Sequence, residues 1–284
     1  MTSPGPAMRR RQLGLALREA REQAKLTMEA LGERLDLSRS AIGAFESGRN
    51  LPSQPVLETI LRECGALEKF DALNELRKDA KRPGWWSTHR MPPWLKAYIG
   101  YEDDALRAKA FSLELVPGLF QTEDYARQLH SLHPLSDEEI DRRVAARLQR
   151  QHRLTGPHPL TFAAVISEGA LHRLFAEPEM ALGQLRHLAS RAKLPNVSLR
   201  VLPFSAGLHL SMSGSFTVLE FAAGVSSPIA YEDYAVGGHL VDDQDVVREL
   251  SGVYDQLHAR ALDEGSSIDM ILELLKRQGG DRNG

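Results

Sequence analysis

The chain is poor in several things at once. It has one cysteine, Cys64, so it builds no internal disulfide and no thiolate metal cluster. No apolar run approaches the roughly 18 residues of a membrane span. Arg9, Arg10 and Arg11 resemble the charged start of a signal peptide, but Arg18, Glu19, Arg21 and Glu22 interrupt the apolar stretch that would have to follow. A cytoplasmic protein is expected. The ten histidines are scattered without an HExxH pair, and His130 and His133 lack acidic neighbours at metal spacing. Neither a GxSxG elbow nor a GxxxxGK[ST] phosphate loop occurs, so no enzyme, metal or cofactor is expected. Glu102, Asp103 and Asp104, like Asp242, Asp243 and Asp245, fit helix starts and solvated faces. Strong charge is missing too, the net being −3, which by itself argues against a nucleic-acid binder.

The distribution of charge points the other way. Residues 1–82 carry 15 Lys+Arg against 12 Asp+Glu, and the remainder 20 against 26. A mildly basic front precedes an acidic body. With 284 residues, the chain has length for about two domains.

After an unpatterned, disordered tail over 1–8, residues 9–80 hold five helical patterns. Leu13, Ala16, Leu17, Ala20 and Ala24 form the first stripe. Thr27 can cap the second helix and Ser38 the third; Ser53, with Pro55 in the first turn, starts the fourth, which Gly65 can close. Leu57, Ile60 and Leu61 share helical spacing with Cys64, which fits a buried core thiol. Phe70, Leu73, Leu76 and Ala80 mark the fifth. The third pattern, LSRSAIGAFESG (37–48), is lopsided. Ala41, Ile42 and Phe45 fall on one side, and a nearly bare face of Arg39, Ser40, Gly43, Ala44 and Ser47 on the other.

Residues 81–102 contain three prolines, three tryptophans and two tyrosines, which suits a connector docked on the second domain rather than a free linker. Residues 103–284 read as a larger α+β domain. Helical patterns cover 123–151 and 178–193; LTFAAVI (160–166) reads as a buried strand leading into a helix at Ser167. VSLRVLPF, GSFTVLEF and PIAYEDYAV read as further strands, and two helices, 243–262 and 267–278, end the chain.

LREAREQAKLTMEALGERLDLSRSAIGAFESGRNLPS (17–53) resembles the helix-turn-helix of lambda-repressor-like, or xenobiotic-response-element-type (XRE), bacterial transcription regulators. The resemblance implies an all-α five-helix bundle whose third helix enters the major groove of double-stranded DNA. It implies base contacts from Arg39, Ser40 and Ala44, and backbone-phosphate contacts from Thr27, Met28, Ser38, Arg49 and Asn50. Arg9, Arg10 and Arg11 form a candidate DNA arm, or a merely solubilising tail. Arg21 and Glu46 match a structural pair of the family. Arg39 can read guanine or hold a phosphate, and Ala44 can touch only a thymine methyl, so much of the readout should come from DNA shape. Met28 stands where the family commonly has Gln, and Asp36 where its turn often has Gly.

GWW (84–86), PPWLKAYIGYEDDA (92–105), LVPGLFQTEDYARQL (115–129), RRVAARLQRQ (142–151), PNVSLRVLPFSAGLH (195–209) and GSFTVLEF (214–221) resemble actinobacterial regulators of the WhiJ and Scr1 antitoxin-like type. That implies a small partner protein encoded nearby. Three alternatives stay open for Trp85, Trp86, Trp94, Tyr98 and Tyr125: they fill the core, they line a small-molecule cavity, or the domain instead presents an apolar patch to a partner. The expected function is a homodimeric DNA-binding transcriptional regulator. Its alternatives are an interaction module with negligible DNA affinity and a small-molecule-responsive regulator.

Overall fold

The side-chain oxygens of Thr27, Ser38 and Ser53 accept the backbone N–H groups of Ala30, Ala41 and Val56, so three helices start where the sequence supplies a cap. The computed structural model describes residues 4–89, 91–234 and 237–280, and they divide into two units. The first comprises residues up to Ser87 together with Ala223–Ser226. It contains α1 (Pro6–Gln23), α2 (Met28–Leu35), α3 (Arg39–Glu46), α4 (Gln54–Glu63) and α5 (Phe70–Ala80). Leu13, Leu17, Leu31, Ile42, Leu57 and Leu61 make its core, with Cys64 buried at the margin. Burial pushes the Cys64 thiol pKa up, as expected of an inert core sulfur.

The expected 1–8 tail is shorter than the sequence suggests. Residues 1–3 lie outside the described residues, and α1 begins at Pro6, whose fixed φ suits a first helical turn. Met8 is fully buried, which anchors that turn.

The second unit is built on a six-stranded mixed sheet: β1 (Arg107–Ser112), β2 (Thr161–Ser167), β3 (Val197–Leu202), β4 (Ser215–Glu220), β5 (Ile229–Tyr234) and β6 (Gly237–Val241), in the order β3-β2-β1-β4-β5-β6. β1, β2 and β3 are parallel; β4, β5 and β6 continue antiparallel from β1. Ala235 and Val236, at the end of the expected third strand segment, lie outside the described residues.

The helices of this unit are α6 (Pro93–Asp104), α7 (Glu123–Ser131), α8 (Asp137–Arg150), α9 (Glu168–His172), α10 (Pro178–Arg191), α11 (Gln244–Arg260) and α12 (Glu264–Gly280). Val247, Tyr254 and Leu257 of α11 pack on Phe111, Val165, Phe216 and Val218 of the sheet. The Tyr254 hydroxyl donates to the Ala163 carbonyl at 3.1 Å.

Three expectations need correction. The helical stretch 123–151 is two helices: Pro134 lies in the break, and Ser136 with Glu139 forms a capping box that restarts the chain. The connector 81–102 divides, residues 81–87 belonging to the first unit and 88–102 to the second, where Pro93 opens α6. Glu102 ends α6 instead of starting a helix, and it is buried. Two strands also went unseen. β1 (RAKAFS) has no β-branched residue, and β6 begins with two glycines, so neither carries a strand signature.

Candidate nucleic-acid interface

The turn between α2 and α3 is set by two residues. A Cβ on Gly32 would lie 2.5 Å from the Leu37 carbonyl oxygen, so only glycine lets α2 meet the turn this closely. Asp36 takes the left-handed conformation (φ 54°, ψ 42°) that glycine adopts most readily, a conformation Asp tolerates through its short polar side chain.

α3 is held from behind by α1. A Cβ on Gly14 would come within 2.4 Å of the Glu46 carbonyl oxygen. The Arg21 guanidinium donates twice to the Glu46 carboxylate, at 2.5 and 2.9 Å, and once to the Leu26 carbonyl at 2.8 Å. Both side chains are buried, and the hydrogen bond to Glu46 raises the Arg21 pKa. A planar, bidentate pair out of water fixes direction as well as distance, so the end of α3 has little freedom to rotate.

On the opposite side Arg39 and Ser40 are exposed and Ala44 is half-buried. The Arg39 side chain, 71% exposed, is 2.7 Å from the Glu29 carboxylate of α2. The Ser38 and Ser40 hydroxyls lie 2.9 Å apart. Past the helix, Arg49 Nε donates to the Ser47 hydroxyl, and the Asn50 backbone N–H to the Ala44 carbonyl. Both side chains stay exposed.

Two groups of expected phosphate contacts sit elsewhere. Met28 is half-buried, with its sulfur facing Gly43 of α3, and a thioether offers a phosphate no donor. It packs between α2 and α3. The arginine arm is part of α1. Arg9 pairs with Asp79, Arg10 donates to the Ala80 carbonyl, and the buried Arg11 donates to the Ser226 hydroxyl. The end of α5 supplies acceptors that a free arm would have sought on DNA.

In the second unit the aromatic residues pack against one another. Tyr98 and Trp94 both stack on Tyr231, with centroids 4.2 and 6.3 Å away. The Tyr98 hydroxyl donates to Glu102, whose carboxylate is held by Arg150 at 2.7 and 2.8 Å. Burial pushes the Tyr98 pKa well up. The Tyr125 hydroxyl accepts the Val116 N–H. Trp85 and Trp86 meet edge to face in the first unit, so the five aromatics do not line one cavity.

Residues 12–73 match the model of a helix-turn-helix domain, which takes in α2, the turn and α3. Residues 95–273, more than half of the chain, match the model of a domain of unknown function, DUF5753. The chain belongs to the DUF5753 family. No curated protein and no solved structure matches it. The DUF5753 match runs from the start of α6 into α12 and includes the Glu102–Arg150 pair; the helix-turn-helix match leaves out Arg9, Arg10 and Arg11. Among the described residues no group of three or more His, Cys, Asp and Glu is placed to hold a metal, and no helix is long and apolar enough to cross a membrane.

Sequence reasoning missed Gly14 and the partner of Arg39. Gly14 lies inside a helical pattern where its only signal is a missing side chain, and Glu29 lies ten residues before Arg39, a separation with no helical period.

Proposed function

We propose that this DUF5753 protein is a cytoplasmic, non-enzymatic transcriptional regulator of the lambda-repressor-like (XRE) kind, binding operator DNA as a homodimer through α3. The observation that carries the reading is the outer face of α3: Arg39, Ser40 and Ala44 sit on a helix capped by Ser38 and clamped from behind by Arg21 and Glu46. Short side chains let the backbone approach base edges, while Arg39, Arg49 and Asn50 supply donors for guanine or phosphate. One such helix contacts few bases, so two half-sites a helical turn apart bring affinity into a useful range. Genome-wide immunoprecipitation tests this directly: discrete peaks support it, and a flat profile overturns it. On a recovered site, a dimer that neutralises about eight phosphates shows a log–log salt slope near −7.

A second reading, binding of a small partner protein as in WhiJ- and Scr1-type antitoxin-like regulators, is favoured by one surface. Between β3 and β4, Phe204, Leu208, Leu210 and Met212 are 62%, 83%, 68% and 54% exposed. Clustered apolar exposure of this kind marks interaction surfaces. Pull-down with the product of the adjacent gene, compared between wild type and Leu208→Asp/Leu210→Asp, tests it; equal capture by both argues against this surface.

A further inference from the structure

On α8, Arg143, Arg147 and Arg150 follow one another at spacings of four and three, which places three guanidinium groups along one side of a single helix. Like charges so placed repel. The protein neutralises one of them: the buried Glu102 carboxylate takes Arg150. Of the acidic residues of α8, Glu138 lies beside Arg142, Asp141 beside Arg127, and Glu139 closes the capping box with Ser136. Among the described residues neither Arg143 nor Arg147 has a carboxylate within ion-pair distance. Arg147 donates to the side-chain carbonyl of Gln121, and Asp233 acts on it only from farther off.

The two inner arginines also converge. A Cβ placed on Gly118 would sit 3.3 Å from Arg147 Nη1 and 3.4 Å from Arg150 Nη1, so these two guanidiniums lie close together. Burial and the neighbouring Arg150 lower the Arg147 pKa to about 10. His130, on α7, is held at about 4 by burial and by Arg147 and Arg143, so it stays neutral near pH 7 and can offer a hydrogen bond without adding charge.

These four side chains form one wall of a cleft whose other wall is apolar: Met91, Pro92, Leu95 and Ile99. On α6, Leu95 and Ile99 lie one position round from Trp94 and Tyr98, so one stripe packs on Tyr231 while the next faces the cleft. The cleft offers about 30 Å³ of space to water-sized groups and opens to solvent. Since a water needs roughly 10–15 Å³ of such space, the cleft admits a small polar head, and its open side leaves room for a short body in solvent.

We propose that this cleft binds a small organic anion, its carboxylate or phosphate head held by Arg143 and Arg147 and its short apolar body lying against Met91 and Leu95. Planar guanidiniums suit oxyanions, and an unneutralised cation pair in a half-closed cleft gains from a counter-charge what water supplies poorly. The site deepens the small-molecule-responsive form of the regulator reading, but binding is read without DNA, so failure of either idea leaves the other standing.

The test is isothermal titration of the full chain with hexanoate, hexyl phosphate, inorganic phosphate and 1-hexanol. One of the two hexyl anions should saturate at one per chain, the tighter one naming the head group, while 1-hexanol does not bind. Arg143→Gln should weaken that anion by about tenfold or more. Arg147→Gln should act likewise; if its circular dichroism shows unfolding, Arg143→Gln and Leu95→Trp, which fills the half-exposed side of the cleft, carry the test. Absence of saturation by both hexyl anions at millimolar concentration overturns the proposal. So does binding that Arg143→Gln leaves unchanged, or inorganic phosphate binding as tightly as hexyl phosphate.

Discussion

Arg39 of α3 lies 2.7 Å from Glu29 of α2, and the pair stands on the face assigned to DNA. Both side chains are more than half exposed, so the contact itself contributes only about 0–1 kcal/mol to stability. On the proposed reading of α3 as the recognition helix, its effect is on binding: the cation at the start of α3 is already matched by a carboxylate, which DNA would have to displace.

Glu29→Gln should therefore tighten DNA binding by a few-fold, and Arg39→Ala should weaken specific binding by roughly 1–3 kcal/mol. Fluorescence anisotropy on operator and scrambled duplexes checks both. Loss confined to the operator assigns Arg39 to a base, equal loss on both duplexes assigns it to phosphate, and unchanged affinity removes it from the interface.

Arg21→Met should strand the buried Glu46 carboxylate and destabilise the first unit by about 3–5 kcal/mol, whereas the double variant Arg21→Met/Glu46→Leu should recover much of the loss. Urea unfolding provides the measurement. Similar midpoints for wild type and Arg21→Met would mean that the pair does not clamp α3.

Gly14→Ala should be destabilising by ~1–3 kcal/mol, because its Cβ would press on the Glu46 carbonyl at the α1–α3 contact. Gly252→Ala, in α11 with open space around the added carbon, should instead stabilise by roughly 0.5–1 kcal/mol. Thermal melts of the two variants should move in opposite directions.

Stability should fall as the pH drops from about 6.5, the ordinary histidine value. His130, His187, His209 and His258 all have folded pKa values lowered first by burial, His130 to about 4. Between the folded and unfolded values the unfolded chain binds more protons, so acid favours unfolding there. Asp233, whose pKa burial raises, works in the opposite sense. Urea midpoints at a series of pH values should decline through this window, and His130→Gln should flatten the decline. An unchanged slope in that variant would show that His130 does not contribute.

How much was legible in the sequence varied with the distance over which a signal acts. The starts of α2, α3 and α4 were readable because Thr27, Ser38 and Ser53 bond to N–H groups three residues away. β2 and β4 were readable from their runs of Val, Ile and Phe, but β1, with two alanines, was not, since its membership depends on lying between β2 and β4. The Arg21–Glu46 pair came from resemblance, and the geometry adds that both partners are out of water.

The arginines were legible only as charge. Arg9, Arg10 and Arg11 read as an arm until α5 placed Asp79 and the Ala80 carbonyl beside two of them. Arg143, Arg147 and Arg150 carry no sequence signal beyond helical spacing, and only packing brings Glu102, from another helix, to one of them. Sequence by itself determined where α2, α3 and α4 begin and which faces of the first unit's helices turn inward, because caps and periodicity operate within a turn or two of chain. Tertiary structure alone decided which cations find a carboxylate, because ion pairs join residues that only packing brings within a few ångströms.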